Sequence, residues 1–310
     1  MAKKSRTSKR PVSRARELGV FLLSLAIIAA LVATGVSLLA SSNSSVSVWQ
    51  PPEGCQVNIE GQVAAVDYEQ AINVSVIVGE SLHRGLPARA ATIALTTAYQ
   101  ESNLYNLDYG DRDSLGLFQQ RPSQGWGSEE QIMDPWYSAG AFYDALVKIQ
   151  DWQMSDINDT AQEVQRSNHP QAYRKHEPNA RIWASALTGY SPMSVTCIDR
   201  SQNPANPDAL TQHLTQIFGD SIQITTDGSY LVEVTAPDET TGWALAQLSQ
   251  LWSRDAGITA IRYGDNSWKL SGEEYLPWVS DTTVQPDEVP GKVQIWLRSP
   301  QADDNTSQPG

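Results

Sequence analysis

Gln100 to Gly127, QESNLYNLDYGDRDSLGLFQQRPSQGWG, differs in composition from everything before and after it in this chain of 310 residues. Just upstream, Pro87 to Thr97 (PARAATIALTT) opens with proline and is rich in alanine and leucine, a pattern that predicts a helix delivering Glu101 at its C-terminal end. Beyond it, Asn103, Asn106, Asp108, Gly110, Asp111 and Asp113 are turn formers, followed by the apolar Leu115-Gly116-Leu117-Phe118. A carboxylate at a helix C-terminus meets the negative end of the dipole, and neighbours such as Leu104 and Leu117 desolvate it. Both effects raise its pKa, as a general acid requires. An acid set among amides, aspartates and aromatics suits cleavage of a glycosidic bond. That chemistry needs a protonated carboxyl at the leaving oxygen, amides to hold hydroxyl and N-acetyl groups, and aromatic faces for the rings.

The N-terminus places this stretch relative to a membrane. Met1 to Glu17 holds seven lysines and arginines and one acid, leaving 15 basic against 34 acidic residues in the remainder of a chain of net charge −13. So acidic a remainder makes nucleic acid a poor partner. Leu18 to Ala40 is uncharged and matches the roughly 20 residues that span a bilayer, so one transmembrane helix is expected over 18–40, with 1–17 cytoplasmic and all that follows outside. A cleaved signal peptide is the competing reading. The length of the apolar run and the Leu38-Leu39-Ala40 exit speak against it. After a spacer over 41–54 come Cys55 and, far along, Cys197, the only two cysteines. Outside the cytoplasm they are expected to pair, closing a loop worth about 5 kcal/mol in the chain-entropy model; two unrelated thiols are the alternative.

Between the cysteines the apolar spacing predicts mainly helix: Tyr68 to Arg84, Ala88 to Ser102, Tyr137 to Ile149, Ile157 to Gln165 and Ala180 to Ala186, with at most a small hairpin in Asn106 to Leu117. Residues 198–208 form a linker rich in Pro and Asn. Strands around Asp227-Gly228 and Gly264-Asp265-Asn266, with helices over Ala209 to Phe218 and Thr241 to Arg254, then predict a small α+β domain over 209–298. The polar tail 299–310 is expected to be disordered. The four histidines lack metal-ligand spacing, and neither a Gly-x-Ser-x-Gly elbow nor a phosphate loop occurs, so nothing calls for a metal or cofactor.

Glu101-Ser102 followed by Gly116-Leu117-Phe118-Gln119 resembles the Glu-Ser and Gly-Leu-Met-Gln motifs of the lysozyme-like superfamily, particularly lytic transglycosylases and, more distantly, goose-type lysozymes. Cys55 to Cys197 as a whole also resembles a group of membrane-anchored actinobacterial proteins. The resemblance implies a mainly α lysozyme-like domain over 55–197, ahead of the α+β domain and behind the membrane helix. It implies peptidoglycan glycan strands as substrate, Glu101 as acid and base, Gln119 as a cleft residue and Ser102 as a supporting hydrogen bonder. Transglycosylation closes a 1,6-anhydro ring without water. Inverting hydrolysis would need a second carboxylate, for which Asp111 and Asp113 are the candidates. Where transglycosylases carry Tyr-Asn-x-Gly, this chain reads Ala184-Ser185-Ala186-Leu187-Thr188-Gly189-Tyr190.

Each candidate has a plainer reading as well. Glu101 is equally placed to cap a helix or pair with Arg112 or Arg121, and Asp108, Asp111 and Asp113 are ordinary turn formers. Gln119 and Gln120 can pack beneath a loop. Trp126, in Arg121-Pro122-Ser123-Gln124-Gly125-Trp126-Gly127, and Tyr105 are aromatic faces for a sugar or simple packing residues. In the enzyme reading the C-terminal domain positions the protein or binds a cell-envelope protein partner; the rival is a catalytically inactive lysozyme-fold protein that binds cell wall or acts in envelope assembly.

Overall fold

The computed structural model describes residues 25–32, 50–280 apart from Asn168, Pro170 and Ser229, and 291–299. The chain divides into two compact units, Met1–Trp49 and Gln50–Gly310. Of the first, only helix α1 (residues 25–32) is described, and its side chains are exposed. The basic segment 1–17 and nearly all of the tail expected over 299–310 lie outside the described residues.

The second unit begins with a hairpin. Val57 and Ile59 alternate with Gln56 and Asn58, as Ala64 and Val66 do with Val63 and Ala65, around Glu60-Gly61. Both turn residues have positive φ (53° and 86°), the twist that joins two strands through a two-residue loop. Strand β1 (Gly54–Ile59) pairs antiparallel with β2 (Gln62–Val66) on one side and β3 (Val195–Ile198) on the other, giving the order β2-β1-β3. Cys55 lies opposite Cys197 in this register, and the two form a disulfide.

Between β2 and β3 run α2 (Tyr68–His83), α3 (Ala88–Ser102), α4 (Glu129–Met133), α5 (Pro135–Leu146), α6 (Ile157–Gln165) and α7 (Glu177–Leu187). Asp67 and Gln70 cap α2 reciprocally, each side chain accepting the other's backbone N–H. Helix α3 is buried at every position from Ala90 to Tyr99 and packs against α2, α5, α6 and α7. Its four alanines and three threonines in that run keep it slim enough for neighbours on all sides.

The rest of the unit comprises α8 (Pro207–Phe218), α9 (Glu239–Leu251), α10 (Ser253–Ala256) and a second, wholly antiparallel sheet. Its strands are β4 (Gln223–Asp227), β5 (Leu231–Thr235), β6 (Ile258–Tyr263), β7 (Asn266–Lys269), β8 (Val279–Ser280) and β9 (Lys292–Leu297), in the order β4-β5-β9-β6-β7-β8. Helix α9 packs against β6 and β9 of this sheet and also against α2, α7 and β3. Trp243 and Trp268 are core residues, and the indole N–H of the half-buried Trp252 donates to Ser75 Oγ at 3.0 Å.

The expected fold class is therefore corrected. The described residues form a mixed α/β protein with antiparallel sheets of three and six strands, rather than a mainly α domain with a small α+β appendage. The ten-residue hairpin at Val57–Val66 is too short to dominate a helical window, and β3 is only four residues long. The transmembrane helix expected over 18–40 falls mostly on residues outside the described set. Among the described residues no helix is long and apolar enough to cross a membrane.

Candidate active site

Glu101 owes its position to the way α3 stops. After Ser102 come two successive left-handed residues, Asn103 (φ 52°) and Leu104 (φ 66°), a conformation that disfavours a bulky side chain. Helix α2 holds them there: Gln70 Nε2 donates to the Asn103 carbonyl and Asn73 Nδ2 to the Leu104 carbonyl, each at 2.8 Å. Leu104 is fully buried, so packing and hydrogen bonds together offset the backbone strain.

The Ser102 hydroxyl is buried, 2.7 Å from the Leu117 carbonyl and 3.1 Å from that of Ala98. It ties the helix end to Gly116-Leu117-Phe118-Gln119. Gly116 has φ 76°, and a Cβ there would sit 2.8 Å from the Ile132 carbonyl oxygen, so both backbone and space demand glycine. Leu117 and Phe118 enter the core, and Gln119 turns back with φ 47°. Its Nε2 is 3.3 Å from the carbonyls of Tyr109 and Gly116.

A cleft of about 870 Å³ opens beside these residues. Glu101 borders it, with Asp111, Gln119, Arg121 and Trp126 from the loop. The end of α6 supplies Glu163, Gln165 and Arg166, the chain beyond it His169, and the turn after α5 Lys148. The structure thus brings Glu101, Asp111, Gln119 and Trp126 together.

The other candidates lie elsewhere. Asp113 forms an ion pair with Arg121 Nε at 2.7 Å and accepts from the Ser123 N–H and hydroxyl. These bonds, Ser123's first, hold its carboxyl well below the usual range, so it stays ionised and clamps the loop. Gln120 is buried and donates to the Ser138 carbonyl at 3.1 Å. The Tyr105 hydroxyl donates to the Asp67 carboxylate, the cap of α2, which pushes the phenol up to about 12.

Burial raises the pKa of Glu101. Three groups act the other way: the Tyr173 hydroxyl, the Gln165 amide and the charge of His169. Tyr173 is fully buried and donates to Glu101 Oε1 at 2.5 Å, and burial together with the adjacent carboxylate holds the phenol itself protonated. Gln165 Nε2 also donates to the Phe118 carbonyl at 2.8 Å, linking α6 to the motif loop. The acid is therefore desolvated, oriented from one side and open to the cleft. Neither family models nor curated proteins give this chain a match.

Tyr173 and Glu163 were not legible as site residues. Tyr173 lies in Pro170 to Glu177, which has no helical or strand period, and its partner is 72 positions away. Glu163 looks like any solvent-facing acid on an amphipathic helix. Among the described residues no group of three or more His, Cys, Asp and Glu side chains is placed to hold a metal ion.

Proposed function

We propose that this chain cleaves peptidoglycan glycan strands outside the cytoplasm, with Glu101 as general acid and then base. The observation that carries the reading is a carboxyl whose pKa is raised by burial, at the edge of a cleft of about 870 Å³, a volume in the range of ligand sites. The resemblance of Glu101-Ser102 and Gly116-Leu117-Phe118-Gln119 to lytic transglycosylase motifs supports it, and the Cys55–Cys197 disulfide supports an oxidising compartment.

In this mechanism Glu101 passes its proton to the glycosidic oxygen as the C–O bond breaks, and the Tyr173 hydroxyl stabilises the carboxylate that forms. That carboxylate then takes a proton from a sugar hydroxyl, which closes an anhydro ring, or from water. Hydrolysis with inversion would call on a second carboxylate across the cleft, and among the described residues Asp111 and Glu163 border it.

A second reading keeps the cleft without turnover: a wall-binding or envelope-assembly protein. The engagement of Asp113 by Arg121 and Ser123, and the absence of a Tyr-Asn-x-Gly segment, favour it. Incubating purified sacculi with the full chain and determining the masses of soluble products separates the two. Anhydro-ended fragments support transglycosylation and reducing-ended ones hydrolysis. Saturable binding without products overturns cleavage in favour of the second reading.

A further inference from the structure

The charge around the cleft points to its ligand. After residue 17 the chain carries 15 basic and 34 acidic residues, so an unpaired cation has many carboxylates to choose from. Of the eleven arginines after residue 49, Arg84, Arg112, Arg121, Arg174, Arg181 and Arg254 each form an ion pair. Lys148 and Arg166 do not, although both border the cleft of Glu101 and Glu163 borders it too. Among the described residues neither is within ion-pair distance of a carboxylate.

Lys148 stands in the turn that ends α5, its N–H donating to the Ala145 carbonyl. Arg166 ends α6 in the left-handed region (φ 53°, ψ 38°), where glycine or asparagine is the low-cost choice. A helix C-terminus favours a nearby cation, which explains either residue alone. It does not explain why cations from two different helix ends face one cleft, or why one sits on strained backbone.

We propose that Lys148 and Arg166 form an anion-recognising wall, so that the cleft selects glycans bearing a carboxylate beside the scissile region over neutral ones. This rests on the glycan reading above. A single carboxylate fits better than a polyanion, because Asp111 and Glu163 border the same space. The group has two sources in a peptidoglycan strand: the peptide stem, or the lactyl carboxylate exposed on the sugar when an amidase removes the stem.

Binding of the full chain carrying Glu101→Gln, by calorimetry at low salt, tests this with three ligands: stem-bearing strands, amidase-stripped strands and neutral N-acetylglucosamine oligomers. The proposal expects at least one carboxylate-bearing ligand to bind about tenfold tighter than the neutral oligomer, in line with a charge-assisted contact. Lys148→Gln and Arg166→Gln should each reduce that preference severalfold while leaving neutral-oligomer affinity unchanged, and about 0.5 M salt should erase it. Preference for stem-bearing strands assigns the carboxylate to the peptide, and equal affinity for stripped strands assigns it to the sugar. Equal binding of charged and neutral glycans overturns this inference alone. Binding of none of the three overturns the glycan reading and this inference with it.

Discussion

Gln247 and Glu101 are both polar side chains brought in from helices, yet the molecule treats them differently. Gln247 on α9 is fully buried, and its amide is used completely. Oε1 accepts from the Ser194 N–H and hydroxyl and the Val195 N–H, while Nε2 donates to the carbonyls of Ala186 and Ser191 at 2.7 and 3.0 Å. Glu101 is desolvated, is met by the Tyr173 phenol and the Gln165 amide, and still borders open space. Saturated hydrogen bonding fixes a seam between α7, β3 and α9. Desolvation with capacity left over is what proton transfer needs.

Replacing each residue tests that contrast. Glu101→Gln should lower glycan cleavage about 10³-fold, the usual share of a general acid, with little change in the urea midpoint because the amide is isosteric. A comparable loss of stability would make Glu101 a seam residue like Gln247. Gln247→Ala should do the reverse. Stranding buried donors and acceptors costs about 2 to 3 kcal/mol in urea unfolding, with cleavage per folded molecule unchanged.

Tyr173→Phe sharpens the comparison through pH. In the proposed mechanism Glu101 acts protonated, so activity should fall as pH rises through its pKa, which lies above the ordinary carboxylate value because of burial. Tyr173 stabilises the ionised form. Removing its hydroxyl raises that pKa further, moves the alkaline limb to higher pH and lowers the maximum about tenfold. The linked stability has the same sign: a folded-state pKa above the unfolded one gives a contribution present at low pH and lost as pH rises through the folded value. Glu101→Gln abolishes that loss. A Tyr173→Phe profile that drops in height without moving would show that the phenol only packs.

Asp113→Asn should have the smallest effect, below about threefold on cleavage, because its partners are Arg121 and Ser123 rather than the cleft. A loss matching that of Glu101→Gln would restore Asp113 as the base.

The sequence carried what is local. Helix α3 and its exit at Glu101 followed from Pro87, the alanines and the turn formers after Ser102, and the second sheet from strands flanking Asp227-Gly228 and Gly264-Asp265. The β2-β1-β3 sheet was hidden because its third strand is 129 residues from β2 and only four long. Tyr173, Lys148 and Arg166 were hidden for the same reason, since only the packing of α5, α6 and the short turn at Arg174–His176 on α3 brings them to the Glu101 cleft. Asp113 and Tyr105 looked like site residues because a side chain's partner cannot be read from its neighbours in the chain.

The central claim is that Glu101 breaks a glycan bond. It is tested most directly by release of soluble fragments from purified sacculi, comparing the full chain with Glu101→Gln at matched concentration. The account predicts steady release by the unaltered protein and almost none by the variant. Equal release by both, or release by neither, would contradict it.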